Sequence, residues 1–333
     1  MLKRIFYTLW KLVVAGAVLL FIASHFSTVI HDFSTRYITH PVRGFYAAVC
    51  NTVSIPVFEI CAVLLVLAIP FLIWRYVSGF GRITPLLLAL EIIVFGYLVT
   101  VGIDGAIPVK SDEQTLDESN CVSALENITR EIDALDGDLP ENIEFPESEI
   151  RSLAAAYAYG RLDSHLTHIP KIKTTIFDGM IKGLGVCAYY APVTAEVILR
   201  GDLSDTQKIS ASMHELMHFV GVSEEDVAIY HSVAAALESK NTSVRYSALL
   251  EAYVHVGAAL YEINPEKYLE ISSNIPPRVT KDLEMRQKNA HSSEIGDVLN
   301  DAAISLRDGR GGKSYKNAAA YLVRLFEKDT ISQ

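Results

Sequence analysis

Three long apolar stretches open the chain, and periodic amphipathic segments fill most of the rest. The stretches at about 12–30, 53–74 and 84–102 each approach or exceed the ~18 residues that mark a membrane-spanning helix. From about residue 114 onward, apolar positions recur at three- and four-residue spacing. This predicts helices over about 114–135, 147–161, 169–182, 204–220, 224–238, 243–261, 265–273, 276–289, 293–307 and 314–328. Several starts carry a cap. Ser204 with Gln207 fits a capping box, Ser223 can cap the next helix, and Asn264-Pro265 offers an N-cap followed by proline at N1. One segment departs from the helical pattern. Residues 185–201, GVCAYYAPVTAEVILRG, are rich in Tyr, Val and Ile and predict strand, with Pro192 marking an edge or a break between two strands.

Charge divides the chain at the same place. Residues 1–103 carry seven Lys/Arg and three acids (Asp32, Glu59, Glu91), whereas residues 104–333 carry 22 Lys/Arg and 36 acids. The expected organisation is a mostly α membrane protein. Residues 1–103 would hold three transmembrane helices, 104–112 a linker, and 113–333 a soluble domain with a small sheet. The first stretch also suits a cleaved signal peptide, but two further spans favour its retention. Lys3, Arg4 and Lys11 precede span one, and Arg75 and Arg82 lie between spans two and three. Positive charge on the cytoplasmic side then puts the N-terminus inside, with the 31–52 loop and the soluble domain outside. Glu59 and Glu91 are costly in lipid, so each should face a helix interface or water, or lie near a span end. An acidic soluble domain lacks the basic footprint of a nucleic-acid binder. The cysteines, Cys50, Cys61, Cys121 and Cys187, show no metal-type spacing. Cys121 and Cys187 are a candidate disulfide outside the cytoplasm.

The chemistry concentrates in Ser212–Ala228, SMHELMHFVGVSEEDVA. Two histidines four apart share one helix face, so His214 and His218 can offer nitrogens to one ion. Glu215, next to His214, can reach beside the ion without ligating it. That arrangement suits zinc hydrolysis. Two histidines and a third protein ligand hold one Zn²⁺, and Glu215 takes a proton from the attacking water. The competing explanation is an amphipathic helix with solvated histidines. Ile209, Met213, Leu216 and Val220 argue against it by giving the helix an apolar stripe to pack, and Gly221 suits its C-terminal turn. The third ligand comes from Glu224, Glu225 or Asp226. Glu225 is favoured because it shares a face with Ala228, Ser232 and Ala235, small residues that allow close approach. Acids are also common in any first helical turn, where they complement the dipole. The motif helix contains Asp205, Gln207 and Lys208, so it is not a spanning segment and the chemistry belongs in water or near the membrane surface.

HELMHFVGVSEEDVA resembles the gluzincin pattern of two histidines followed by Glu-x-x-Ala on the next helix. Nearly the full length also resembles a bacterial membrane family, domain of unknown function 3810, with three N-terminal spans and a C-terminal His-Glu-x-x-His domain. The matching segments are IPVFEI, YAPVTAEV, VRYSALLEAY and LNDAAISLRDGRGGKSYKNAAAYLVRLF. The resemblance implies an α+β zincin-like fold, with His214, His218 and Glu225 as ligands and Glu215 as base. It implies no substrate. The chain departs from the family at Val227, where an acid is usual, and at Ile229, where asparagine is usual. Either polar group would orient a ligand histidine.

The expected activity is peptide hydrolysis by a membrane-anchored zinc metallopeptidase, with a cell-wall amidase as a variant. The alternative is a catalytically silent sensor or scaffold. Residues 185–200 would align an extended peptide or protein substrate, with Glu196 as a contact or a solvated strand position. Arg245 and Tyr246 would stabilise an oxyanion or serve only capping and packing. His231 and His255 read as structural or surface histidines. The remaining partner is the lipid bilayer.

Overall fold

The computed structural model describes residues 2–79, 84–98, 116–162, 164, 166, 168–289 and 313–327. The chain is mostly α-helical with one small sheet, and it divides into two compact units. The first comprises residues 1–107, 164–176 and 190–198, and the second the remainder.

In the first unit, α1 (Leu2–Ser24) and α4 (Val57–Val77) are apolar over Ile5–Ser24 and Val57–Val77, long enough to cross a membrane. Helix α5 (Thr84–Tyr97) is apolar over the shorter Leu87–Tyr97. The expected end of a third span, 99–102, and the linker 104–112 lie outside the described residues. The first span differs from its expected window. Helix α1 starts ten residues earlier and ends at Ser24, and Ser27 caps a new helix by accepting from Ile30 N.

The expected 31–52 loop is instead helical. It forms α2 (Thr28–Ser34), a π-helical turn (Thr35–Thr39) and α3 (His40–Cys50). Its one proline, Pro41, falls in the first turn of α3. Both acids of the apolar helices are engaged. Trp10 Nε1 donates to Glu91 Oε2 at 3.0 Å. Glu59 is buried and accepts from Thr175 Oγ1 and from Ile176 N.

The helix expected over 169–182 is also overturned. Residues Ile172–Thr174 form β1, and only Asp178–Gly183 form a helix, α8. The run Ile-Lys-Thr-Thr-Ile after Pro170 is largely β-branched, which favours extended backbone. Its polar side chains Lys173 and Thr175 are buried in hydrogen bonds that only this extended course supplies. Strands β2 (Ala188–Ala191) and β3 (Glu196–Leu199) form the expected strand region. Pro192 opens the turn between them, and Ala195 closes it in the left-handed region at φ 53°. The sheet order is β1-β3-β2, so β3 is central.

The second unit is a helical core. Helix α6 (Glu118–Asp136) buries Cys121, Ala124, Leu125, Ile128, Ile132 and Leu135, one face at helical spacing. It packs with α11 (Thr242–Ile263) and with the C-terminal α14 (Lys313–Glu327), whose Leu322, Val323 and Phe326 are fully buried. Asn127 Nδ2 donates to the Phe326 carbonyl at 3.0 Å and ties α6 to the end of α14. Helix α7 (Glu147–Arg161), α9 (Asp205–Val220) and α10 (Glu225–Leu237) complete the core, with α12 (Pro265–Ser272) and α13 (Pro277–Asn289) packed against α11. The expected helix over 293–307 lies outside the described residues. Asn264 caps α12 as expected, but Ser223 caps nothing: α10 begins at Glu225 with Glu224 in the cap position. All four cysteines are free, so the candidate Cys121–Cys187 disulfide is absent.

Candidate metal centre

Helix α9 is fixed at both ends by local chemistry. Ser204 and Gln207 form a reciprocal capping box at its start. At its end Gly221 adopts φ 117°, a conformation that L side chains rarely tolerate. Val222 N then donates to the Met217 carbonyl at 3.0 Å, which closes a Schellman turn. Three residues later α10 begins, and Glu225 is its first helical residue. The turn therefore brings the first carboxylate of α10 back onto the last two turns of α9.

The result is a tight cluster. His214 Nε2 and His218 Nε2 stand 3.0 Å apart. Glu225 Oε2 lies 3.0 Å from His214 Nε2 and 3.5 Å from His218 Nε2. Among the described residues this is the one group of three His, Cys, Asp or Glu side chains whose ligand atoms converge in this way. A tetrahedral ion bonded at ~2.0–2.1 Å sets its ligand atoms about 3.3 Å apart, so the three donors fit such an ion with little rearrangement. Glu225 and His218 are buried, while His214 keeps a partly exposed edge.

The tautomer of His218 follows from its other nitrogen. Nδ1 is 2.7 Å from the Val222 carbonyl. A carbonyl only accepts, so Nδ1 carries the hydrogen and Nε2 presents its lone pair to the cluster. This backbone carbonyl orients the His218 ring, as a polar side chain can do for a ligand histidine. Val227 and Ile229 supply no such group; both are buried apolar residues. Glu215 is buried beside the cluster, with Oε1 4.0 Å from His214 Nε2. Its Oε2 has no hydrogen-bond partner among the described residues.

A scan against family models matches residues 35–323 to "Protein of unknown function (DUF3810)". The chain belongs to the DUF3810 family. No curated protein and no solved structure matches it. In this DUF3810 chain the His/His/Glu cluster can chelate a metal ion.

The other residues singled out in the sequence sit elsewhere. Glu196 is buried on β3, where its carboxylate accepts from Val57 N at 2.9 Å, Phe58 N at 2.7 Å and Lys173 Nζ at 2.6 Å. It caps the amino end of α4 and is not a solvated strand position. Tyr246 is buried and donates to Asp282 Oδ2 at 2.8 Å, under the guanidinium of Arg278. Burial, followed by that hydrogen bond, pushes its phenol well above the usual range. Arg245 lies 4.0 Å from Glu131 on α6.

His231 is structural. Burial holds its imidazole down at about 4, so it is neutral and accepts from Tyr157 OH at 2.9 Å. His255 has a partner one turn back, Glu251, at 3.3 Å. Arg286 joins Glu251 to Ser210 on α9. Burial pushes the Glu251 carboxyl up, but Arg286 and His255 together hold it well below its usual range. The four-residue spacing of Glu251 and His255 was the available signal. Arg286 was visible only as one more charge on α13.

Proposed function

We propose that this chain is a membrane-anchored zinc metallopeptidase whose soluble part lies outside the cytoplasm. The observation that supports this best is the convergence of His214, His218 and Glu225 next to a buried carboxylate with an unused oxygen. Two imidazoles and a carboxylate suit Zn²⁺ in particular. When bound, the ion supplies Lewis acidity, which acidifies water toward neutral pH and polarises a carbonyl. The protein's own share is positional. The Val222 carbonyl fixes the His218 ring, and the Gly221 turn fixes Glu225 against both histidines. On this reading Glu215, whose Oε2 has no hydrogen-bond partner among the described residues, takes a proton from water and returns it to the leaving amine. The partly exposed edge of His214 leaves one side for substrate.

The clamp on α4 supports the orientation. Glu196 caps the amino end of α4, so the segments 164–176 and 190–198 stand at the end opposite Arg75. Arg75 and Arg82 read as cytoplasmic, which puts those segments outside. The sequence after them holds no further apolar stretch of spanning length.

The test uses the full-length protein in detergent. Elemental analysis should find one zinc per chain in wild type and in Glu215→Gln, with peptide hydrolysis only in wild type. Absence of stoichiometric metal in wild type refutes the reading. Zinc in both proteins, with a cellular phenotype that Glu215→Gln leaves intact, would replace catalysis by a silent sensor or scaffold.

A further inference from the structure

The helical segment 28–50 is inverted. Val29, Phe33, Tyr37, Pro41, Phe45 and Val49 recur at strict four-residue spacing, and all six are exposed. The five other than Pro41 are between 51% and 76% exposed. The opposite side carries Ser34, Thr39, His40 and Arg43, and these polar residues are buried. A helix in water does the reverse. Soluble proteins rarely expose contiguous apolar patches beyond a few hundred Å².

The π turn at Thr35–Thr39 helps to keep this row together. Four-residue steps overrun a 3.6-residue turn, so the row drifts around an α-helix. One wider turn with i→i+5 bonding absorbs part of that drift midway along the segment. The aromatic rings of Phe33 and Tyr37 lie 5.0 Å apart within it.

Packing fixes the depth of the segment. Val42 of α3 packs against the buried cluster of Ala17 on α1 and Leu98 just past α5, as do Val18, Phe21 and Phe95. Ala17, Val18 and Phe21 belong to the apolar stretch Ile5–Ser24, so α3 runs beside that stretch and not beyond its end. An apolar groove also runs between α1 and α2, with Gly16 and Ala23 on one wall and Val29, Ile30 and Phe33 on the other.

We propose that segment 28–50 is embedded in the outward-facing leaflet of the bilayer, with Val29, Phe33, Tyr37, Pro41, Phe45 and Val49 facing lipid. This rests on the membrane reading of α1 and α4. Two observations favour lipid over a protein partner: the row is continuous with the apolar faces of a spanning helix, and Ser34, Thr39, His40 and Arg43 turn inward, with Asp32 and Arg36 exposed beside the row where lipid headgroups would meet them. The buried side gives Arg43 and His40 a protein environment that the hydrocarbon would deny them.

Nitroxide accessibility tests the proposal. The full chain, with Cys61 and Cys187 replaced by serine, is labelled at Phe33→Cys or Phe45→Cys in phosphatidylethanolamine–phosphatidylglycerol liposomes. Leu67→Cys on α4 and Tyr159→Cys on α7 serve as references, both exposed in the fold. Oxygen collisions should exceed those of a polar nickel chelate at 33 and 45, as at 67, with the order reversed at 159. Nickel excess at 33 and 45 with oxygen excess at 67 overturns the embedded segment and leaves the spanning helix standing. Nickel excess at all positions overturns both. Shielding of 33 and 45 from both agents means that another protein surface covers the row, which also overturns the proposal.

Discussion

Replacing Gly221 with alanine should weaken metal binding without touching a ligand. At φ 117° an alanine Cβ is strained, and forcing an L residue into left-handed backbone costs roughly 1–2 kcal/mol. The chain relieves this by moving the turn. The turn carries the Val222 carbonyl, which holds the His218 ring at 2.7 Å, and it leads directly into Glu225. Loss of a group that orients a ligand histidine typically lowers affinity about 10–100-fold, or roughly 1.4–2.7 kcal/mol. The assay is competition for zinc between the purified protein and a chromogenic chelator. Gly137→Ala is the matched control, because Gly137 has ordinary helical backbone and open space where its Cβ would stand. Wild-type zinc affinity in a folded Gly221→Ala protein would refute the link between this turn and the site.

Lys173→Met should destabilise by about 3–5 kcal/mol, because it strands the buried Glu196 carboxylate and the carbonyls of Cys50 and Ile55. Adding Glu196→Gln should recover part of this loss in detergent thermal-stability measurements, and no recovery would mean that charge is not the issue. His231 binds a proton less readily folded, at about 4, than unfolded, near 6.5. The unfolded state therefore takes up the proton first as pH falls. Stability should drop between pH 6.5 and 4 by up to about 3 kcal/mol from this group. Unfolding midpoints of wild type and His231→Gln across that range should diverge, and parallel curves would exclude the effect. Phe326→Ala on α14 should cost about 3–5 kcal/mol in the same thermal assay, and a loss under 1 kcal/mol would show that α14 is not part of the core.

The His/His/Glu cluster was legible because its histidines share helical spacing and a glycine turn separates them from Glu225 by only a few residues. Its orienting group was not legible, since a backbone carbonyl has no signature in side-chain identity. Most helix boundaries after residue 114 followed from apolar periodicity. Residues 169–182 misled because Lys173 and Thr175 look solvated, although both are buried against carboxylates far along the chain. Residues 31–52 misled for the opposite reason. Ser34, Thr39, His40 and Arg43 turn inward while an apolar row turns outward, so the segment lacks the pattern of a helix in water and read as a loop. Glu196 read as a substrate contact or a solvated strand position, and nothing near it in sequence shows that its partners are at 57 and 58.

That separation bears on the order of assembly. The His/His/Glu cluster spans 214 to 225, whereas Glu196 reaches its partner Val57 across 139 positions. On a loop-closure scale the longer contact costs about 2 kcal/mol more chain entropy before it forms. On a ribosome the difference is sharper. Helix α4 emerges well before residue 196 exists. Its first amide groups must find temporary partners. The α9–α10 site can close as soon as its own two helices form, while the α4 clamp waits for a strand made much later. A chain stopped anywhere before Glu196 would hold α4 with an unfinished amino end.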